Sequence, residues 1–86
     1  MIYTLYKTNG EMVYIEESKP IELKKMQELV GGYIEFTRVF NKRDLHFCVN
    51  EEGRINNLPV NKMFPQYVGD IILGRIDKNG EFIGVG

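Results

Sequence analysis

The chain has 86 residues, 11 basic and 12 acidic, and a formal net charge of -1, with 43% hydrophobic and 27% charged residues. That length fits one domain, here residues 1-86, and the composition excludes a disordered chain. The lack of a basic excess argues against nucleic acid as a partner, because phosphate contacts need one, and the single cysteine, Cys48, excludes an intrachain disulfide.

A chain this short buries only roughly 60–65% of the surface that its unfolded form exposes, so its core is modest and homodimerisation is a cheap way to gain burial. The missing disulfide points to the cytoplasm. No signal peptide is expected from the opening "MIYTLYKTNG", and no apolar run approaches the ~18 residues of a membrane span.

The first stretch, "IYTLYKTNGEMVYIEE", reads as a β-hairpin closed by a type I′ turn at Asn9-Gly10. "SKPIELKKMQELV" reads as a helix, with Pro20 at its first position, Ser18 or Lys19 at the cap, and Leu23, Met26, Leu29 and Val30 on the apolar face. Gly31 is placed to end that helix in the left-handed region, and Gly32 to let the chain pass close to a neighbouring backbone. "YIEFTRVF" is a strand with Ile34 and Phe36 on one face and Tyr33, Glu35 and Thr37 on the other. After the turn "NKRD", "LHFCVN" alternates, with Leu45, Phe47 and Val49 inward and His46, Cys48 and Asn50 outward or semi-exposed. Between residues 58 and 68 a short helical turn is expected, capped by Asn61 and cut short by Pro65. "DIILGRID", "KNG" and "EFIGVG" close the chain as a second hairpin with Asn79-Gly80 at its turn. The fold class is α+β: a small antiparallel sheet in the order β-β-α-β-β-(short helical turn)-β-β, with one main helix packed on one face.

Candidate chemistry is sparse. His46 and Cys48 share a strand face, but they are the only histidine and the only cysteine, short of a metal set or an oriented nucleophile. Glu51, Glu52 and Asp70 are explained by turns, and no glycine pattern matches a phosphate loop. No catalytic or metal-ligating residues and no cofactor are therefore assigned, and the chain does not read as an enzyme. The asparagines of "VNEEGRINNLPVN" stand out, since such side chains either satisfy turn backbones or face a ligand.

Four pieces in order, the opening hairpin, "MQELVGGYIEF" (26–36), "VNEEGRINNLPVN" (49–61) and "YVGDIILG" (67–74), give the motif string LQ-LVGG-IE, VNEEG, LP-N, GD-I-G. Over nearly the whole chain this resembles a small uncharacterised domain family, a domain of unknown function, of bacteria, phages and large DNA viruses of algae and protists. The chain departs from the family pattern at "KMFPQY", where members tend to carry a smoother helix. The resemblance implies a single α+β domain of viral or mobile-element character with no assigned activity. The expected function is noncatalytic binding by an accessory protein, with an unknown protein or a small nucleotide as partner and host defence as the process modulated. Its site is expected where the asparagine-bearing turns meet Gly31-Gly32, and Tyr33, Glu35, Asn50, Asn57, Asn61 and Asp70 supply its polar groups. The alternatives are nucleic-acid binding through Arg38, Lys42, Arg43 and Arg54, and a purely structural homo-oligomer formed through a sheet edge.

Overall fold

A computed structural model describes residues 1–86. The chain folds as α+β, with strands β1 (Ile2–Tyr6), β2 (Met12–Glu16), β3 (Ile34–Arg38), β4 (Leu45–Asn50), β5 (Ile71–Ile76) and β6 (Phe82–Ile83), and one helix, α1 (Leu23–Val30). The sheet is antiparallel in the order β2-β1-β5-β4-β3, and β6 pairs with β5 alongside that path. The edges are therefore β2 and β3.

Two rows of side chains run across the strands and show how the faces differ. On one face, Val13, Leu5, Ile72, Cys48 and Phe36 lie side by side. Met26 and Val30 of α1 pack with Leu5, Cys48 and Ile72 there, together with Tyr3, Ile21 and Phe82. On the other face, Tyr14, Thr4, Leu73, Phe47 and Thr37 form the matching row. A second cluster of Phe47, Val49 and Ile71 lies on this face under Phe64 and Tyr67. The rings meet edge-on or tilted, with centroids 4.8 Å apart for Tyr6–Phe64 and Phe47–Phe64 and 5.4 Å for Phe47–Tyr67, geometries worth about 0.5–1.5 kcal/mol per pair beyond area burial. The segment between β4 and β5 thus covers the face that the helix leaves bare. Both faces are covered, so Cys48 and Asn50 on the helix side are buried as fully as Phe47 and Val49 on the other, against the outward placement expected from alternation.

Several local expectations are corrected. Both Asn-Gly hairpins are type I turns followed by a left-handed glycine, not type I′. Within these two turns only Gly10 and Gly80 have positive φ (95° and 80°), and each donates its N–H to the carbonyl of the residue three before it, Lys7 and Asp77. The helix starts at Leu23, with Glu22 at the cap and no side-chain capping bond, rather than at Pro20. Ile21 explains the delay: its side chain is buried, and its N–H donates to the Tyr3 hydroxyl at 3.0 Å, which holds the chain extended before the helix. The same hydroxyl donates to the Phe82 carbonyl at 2.9 Å, so one buried phenol ties β1 to the helix lead-in and to β6. Leu23, expected on the apolar face, is 55% exposed.

At the helix end, Gly31 has φ 85° and ψ 21° and donates to the Gln27 carbonyl, the left-handed termination expected. Gly32 does make a close approach, but to a side chain: a Cβ there would stand 3.0 Å from Asn50 Nδ2. Residues 58–68 hold no helix. They form a hairpin-like loop bridged at Val60–Val68, with Asn61 N–H on the Tyr67 carbonyl and a tight turn closed by Tyr67 N–H on the Phe64 carbonyl. Pro65 takes the second position of that turn, where its fixed φ fits. Helix-like bonding sits earlier: Asn56 donates to the Glu52 carbonyl four residues back.

Candidate functional site

All the motif stretches converge at one end of the sheet, where α1, β1 and β4 finish and β3 and β5 begin. Asn50, at the end of β4, donates from Nδ2 to the Val30 carbonyl at 3.1 Å and accepts the Glu52 N–H at 2.8 Å. It therefore links the helix C-terminus to the turn after β4. Asn61 is fully buried and makes four bonds to backbone groups. Nδ2 donates to the carbonyls of Tyr6 and Gly69, both at 3.0 Å, and Oδ1 accepts from the N–H groups of Met63 and Phe64, both at 3.1 Å. Asp70 accepts the Thr8 N–H at 2.9 Å, and Leu58 packs against Gly69 and Gly53.

Of the six expected site residues, Asn50, Asn61 and Asp70 are thus engaged with the chain's own backbone. Asn57 is exposed, at φ 56° in the turn before Leu58, a left-handed conformation that asparagine tolerates. Tyr33 and Glu35 are exposed on the β3 side. A shallow depression of about 260 Å³ does lie where Gly31, Leu58, Pro59, Gly69 and Asp70 meet, so the turns do meet the glycine junction. Its walls are mainly glycine and aliphatic.

A second concavity, about 360 Å³, lies beside β3. It is lined by Glu35 and Thr37 of β3, by Val49, by the Glu51–Ile55 turn and by Gln66, Tyr67 and Val68. Glu35, Glu51 and Glu52 bring three carboxylates to this groove, and the only ion pair in the chain joins Lys25 to Glu17, elsewhere. The one cation in the lining, Arg54, donates to the Gln66 carbonyl at 3.0 Å. Ile55, 78% exposed, forms an apolar rim. Thr37, Arg54, Ile55, Gln66 and Tyr67 were not singled out together from the sequence. The β3–β4 register carried part of the signal, because pairing Glu35 with Val49 sets Glu35 beside the Glu51-Glu52 turn.

The four cations of the nucleic-acid alternative do not gather. Arg38, Lys42 and Arg43 belong to the β3–β4 hairpin end, and Arg54 follows the opposite end of β4, about 17–20 Å away at strand rise. Cys48 is buried, and burial pushes its thiol up to about 12. His46 is half-buried, with Nδ1 against the Asp44 carbonyl at 3.1 Å. No group of three or more His, Cys, Asp or Glu side chains is placed to hold a metal ion, and no helix is long and apolar enough to cross a membrane.

A family model described as a domain of unknown function, DUF3846, matches residues 2–86. The chain belongs to the DUF3846 family. No curated protein and no solved structure matches it. In this DUF3846 chain the motif residues Gly32, Asn50, Gly53, Leu58, Asn61, Gly69 and Asp70 contact one another or a shared backbone. The motif string therefore describes one knot that closes the end of the sheet, and the groove with free polar side chains lies beside it.

Proposed function

We propose that this DUF3846 domain is a noncatalytic accessory protein of a virus or mobile element, acting in the host cytoplasm by holding a partner protein, with host defence as the process modulated. The observation that carries this reading is the groove beside β3, whose carboxylates have no ion-pair partners and which adjoins a sheet edge. Such a surface suits a protein segment. It suits a nucleotide poorly, since phosphates would face Glu35, Glu51 and Glu52 with only Arg54 to offset them. The viral or mobile-element character rests on the motif string and its resemblance to proteins of such genomes. Mass spectrometry of what co-purifies with the native protein from producing or infected cells tests the reading. One stoichiometric host protein supports it; a discrete nucleotide, or nothing above a control chain, overturns it.

A second reading, a structural homo-oligomer, draws on the other edge. Met12, Val13 and Tyr14 of β2 are 49%, 39% and 67% exposed, with no lysine or proline to discourage edge pairing. Light scattering across a concentration series decides it: a dimer mass supports it, and a monomer mass at every concentration removes it.

A further inference from the structure

The pattern of hydrogen bonds along β3 identifies which backbone groups are free. Glu51 N–H donates to the Tyr33 carbonyl, and Val39 N–H donates to the Leu45 carbonyl. Bonded pairs alternate along an antiparallel ladder, so the Glu35–Val49 and Thr37–Phe47 pairs are also bonded in this register. Ile34, Phe36 and Arg38 therefore turn their N–H and C=O groups away from β4, and no strand lies on that side. The acidic groove opens on the face where Glu35 and Thr37 project, along the same strand.

We propose that this edge of β3 receives an extended, lysine- or arginine-bearing peptide segment as an added strand. The inference rests on the binding reading above and names the partner's chemistry. Three N–H and three C=O groups supply the pairing. Alternate side chains of the incoming strand fall towards Glu35 and the Glu51-Glu52 turn, where basic residues meet carboxylates that lack partners. The side chains between them fall towards Phe36, which is 39% exposed on the other face. A second copy fits worse. Two β3 edges paired about Phe36 would bring both sets of groove carboxylates to one seam.

The test uses the full chain, isotope-labelled, with an alternating Lys-Val octapeptide as probe, a Glu-Val octapeptide as control and an N-methylated Lys-Val version that cannot pair along one edge. The expected result is saturable binding of the Lys-Val probe at low salt, with slowed amide exchange at Ile34, Phe36 and Arg38. Binding should weaken about tenfold or more in Glu35→Lys and with the N-methylated probe. Arg38→Pro removes one edge N–H that faces solvent, a position where proline is tolerated. It also makes the surface more acidic, so a loss of binding there identifies backbone pairing rather than charge alone. The inference is overturned by equal binding of the acidic control, by protection on β2 instead, by no binding of the Lys-Val probe, or by a chain already dimeric through β3. If the probe fails while a co-purified host protein protects another face, this inference falls and the binding reading stands. If no partner co-purifies, the binding reading itself falls.

Discussion

Replacing Asn61 by alanine should cost this domain a large part of its stability. The side chain is fully buried and bonds four backbone groups from three segments: the end of β1, residue 69, and the 63–64 turn. A buried backbone group left without a partner costs about 1–3 kcal/mol. Water can reach the 63–64 side, where Met63 is 52% exposed, and the Tyr6 carbonyl also faces its ladder partner Ile71, but the buried Gly69 carbonyl has less recourse. The orphaned Gly69 carbonyl and the lost second bond to Tyr6 together give about 2–4 kcal/mol, against a total of about 4–13 kcal/mol for a domain of this length. Urea unfolding followed by circular dichroism measures the difference directly. A loss near 3 kcal/mol corresponds to a fall of at least about 12 °C in Tm at this size. Asn61→Asp is the informative companion: it keeps the acceptor for Met63 and Phe64 but sets a carboxylate against two carbonyl oxygens. It should be at least as unstable at neutral pH and recover in acid as the carboxyl gains a proton. A cost below about 1 kcal/mol for Asn61→Ala, with an unchanged denaturant slope, would refute the assignment of this residue to the knot.

Three other outcomes are expected. Asn50→Ala removes the bonds to the Val30 carbonyl and the Glu52 N–H and should cost about 1–3 kcal/mol in the same urea assay. Gly31→Ala, at φ 85°, should cost about 1 kcal/mol or more, and no cost would contradict the left-handed helix end. Cys48 should resist alkylation in the native state and react on unfolding. Because its thiol is raised from 9.0 to about 12, the native state keeps a proton that the unfolded chain has lost across that window. Stability relative to Cys48→Ala should therefore be constant below pH 9 and decline above it, by up to about 1.4 kcal/mol per pH unit; a flat difference up to pH 11 would contradict the burial.

Much of the architecture is legible in the sequence because it is written in local chemistry. Two Asn-Gly turns, an amphipathic run ending at Gly31 and an alternating "LHFCVN" are enough to order the elements. The errors arise where tertiary contacts outvote local pattern. Ile21 follows the proline expected to open a helix, but the hydroxyl of Tyr3 claims its N–H and delays the helix to Leu23. Cys48 and Asn50 alternate outward as in a one-sided sheet, yet the sheet is covered twice, and the second cover, Phe64 and Tyr67, lies in a segment without periodicity. The asparagines show the same limit at the site. Their spacing marks them as unusual, but only the fold reveals that Asn50 and Asn61 spend their donors and acceptors on the chain itself. The groove is formed from β3, the 51–55 turn and residues 66–68, and the last of these reaches it only through the Val60–Val68 bridge, which no sequence spacing announces.

Amide hydrogen exchange along β3 in the free chain is the most direct test of the account, because the binding surface depends on that edge being open. Glu35 and Thr37, bonded to β4, should be protected, while Ile34, Phe36 and Arg38 exchange much faster and slow only when a partner is added. Equal protection at all five positions in the free monomer would mean that the edge is already covered, and would contradict the account.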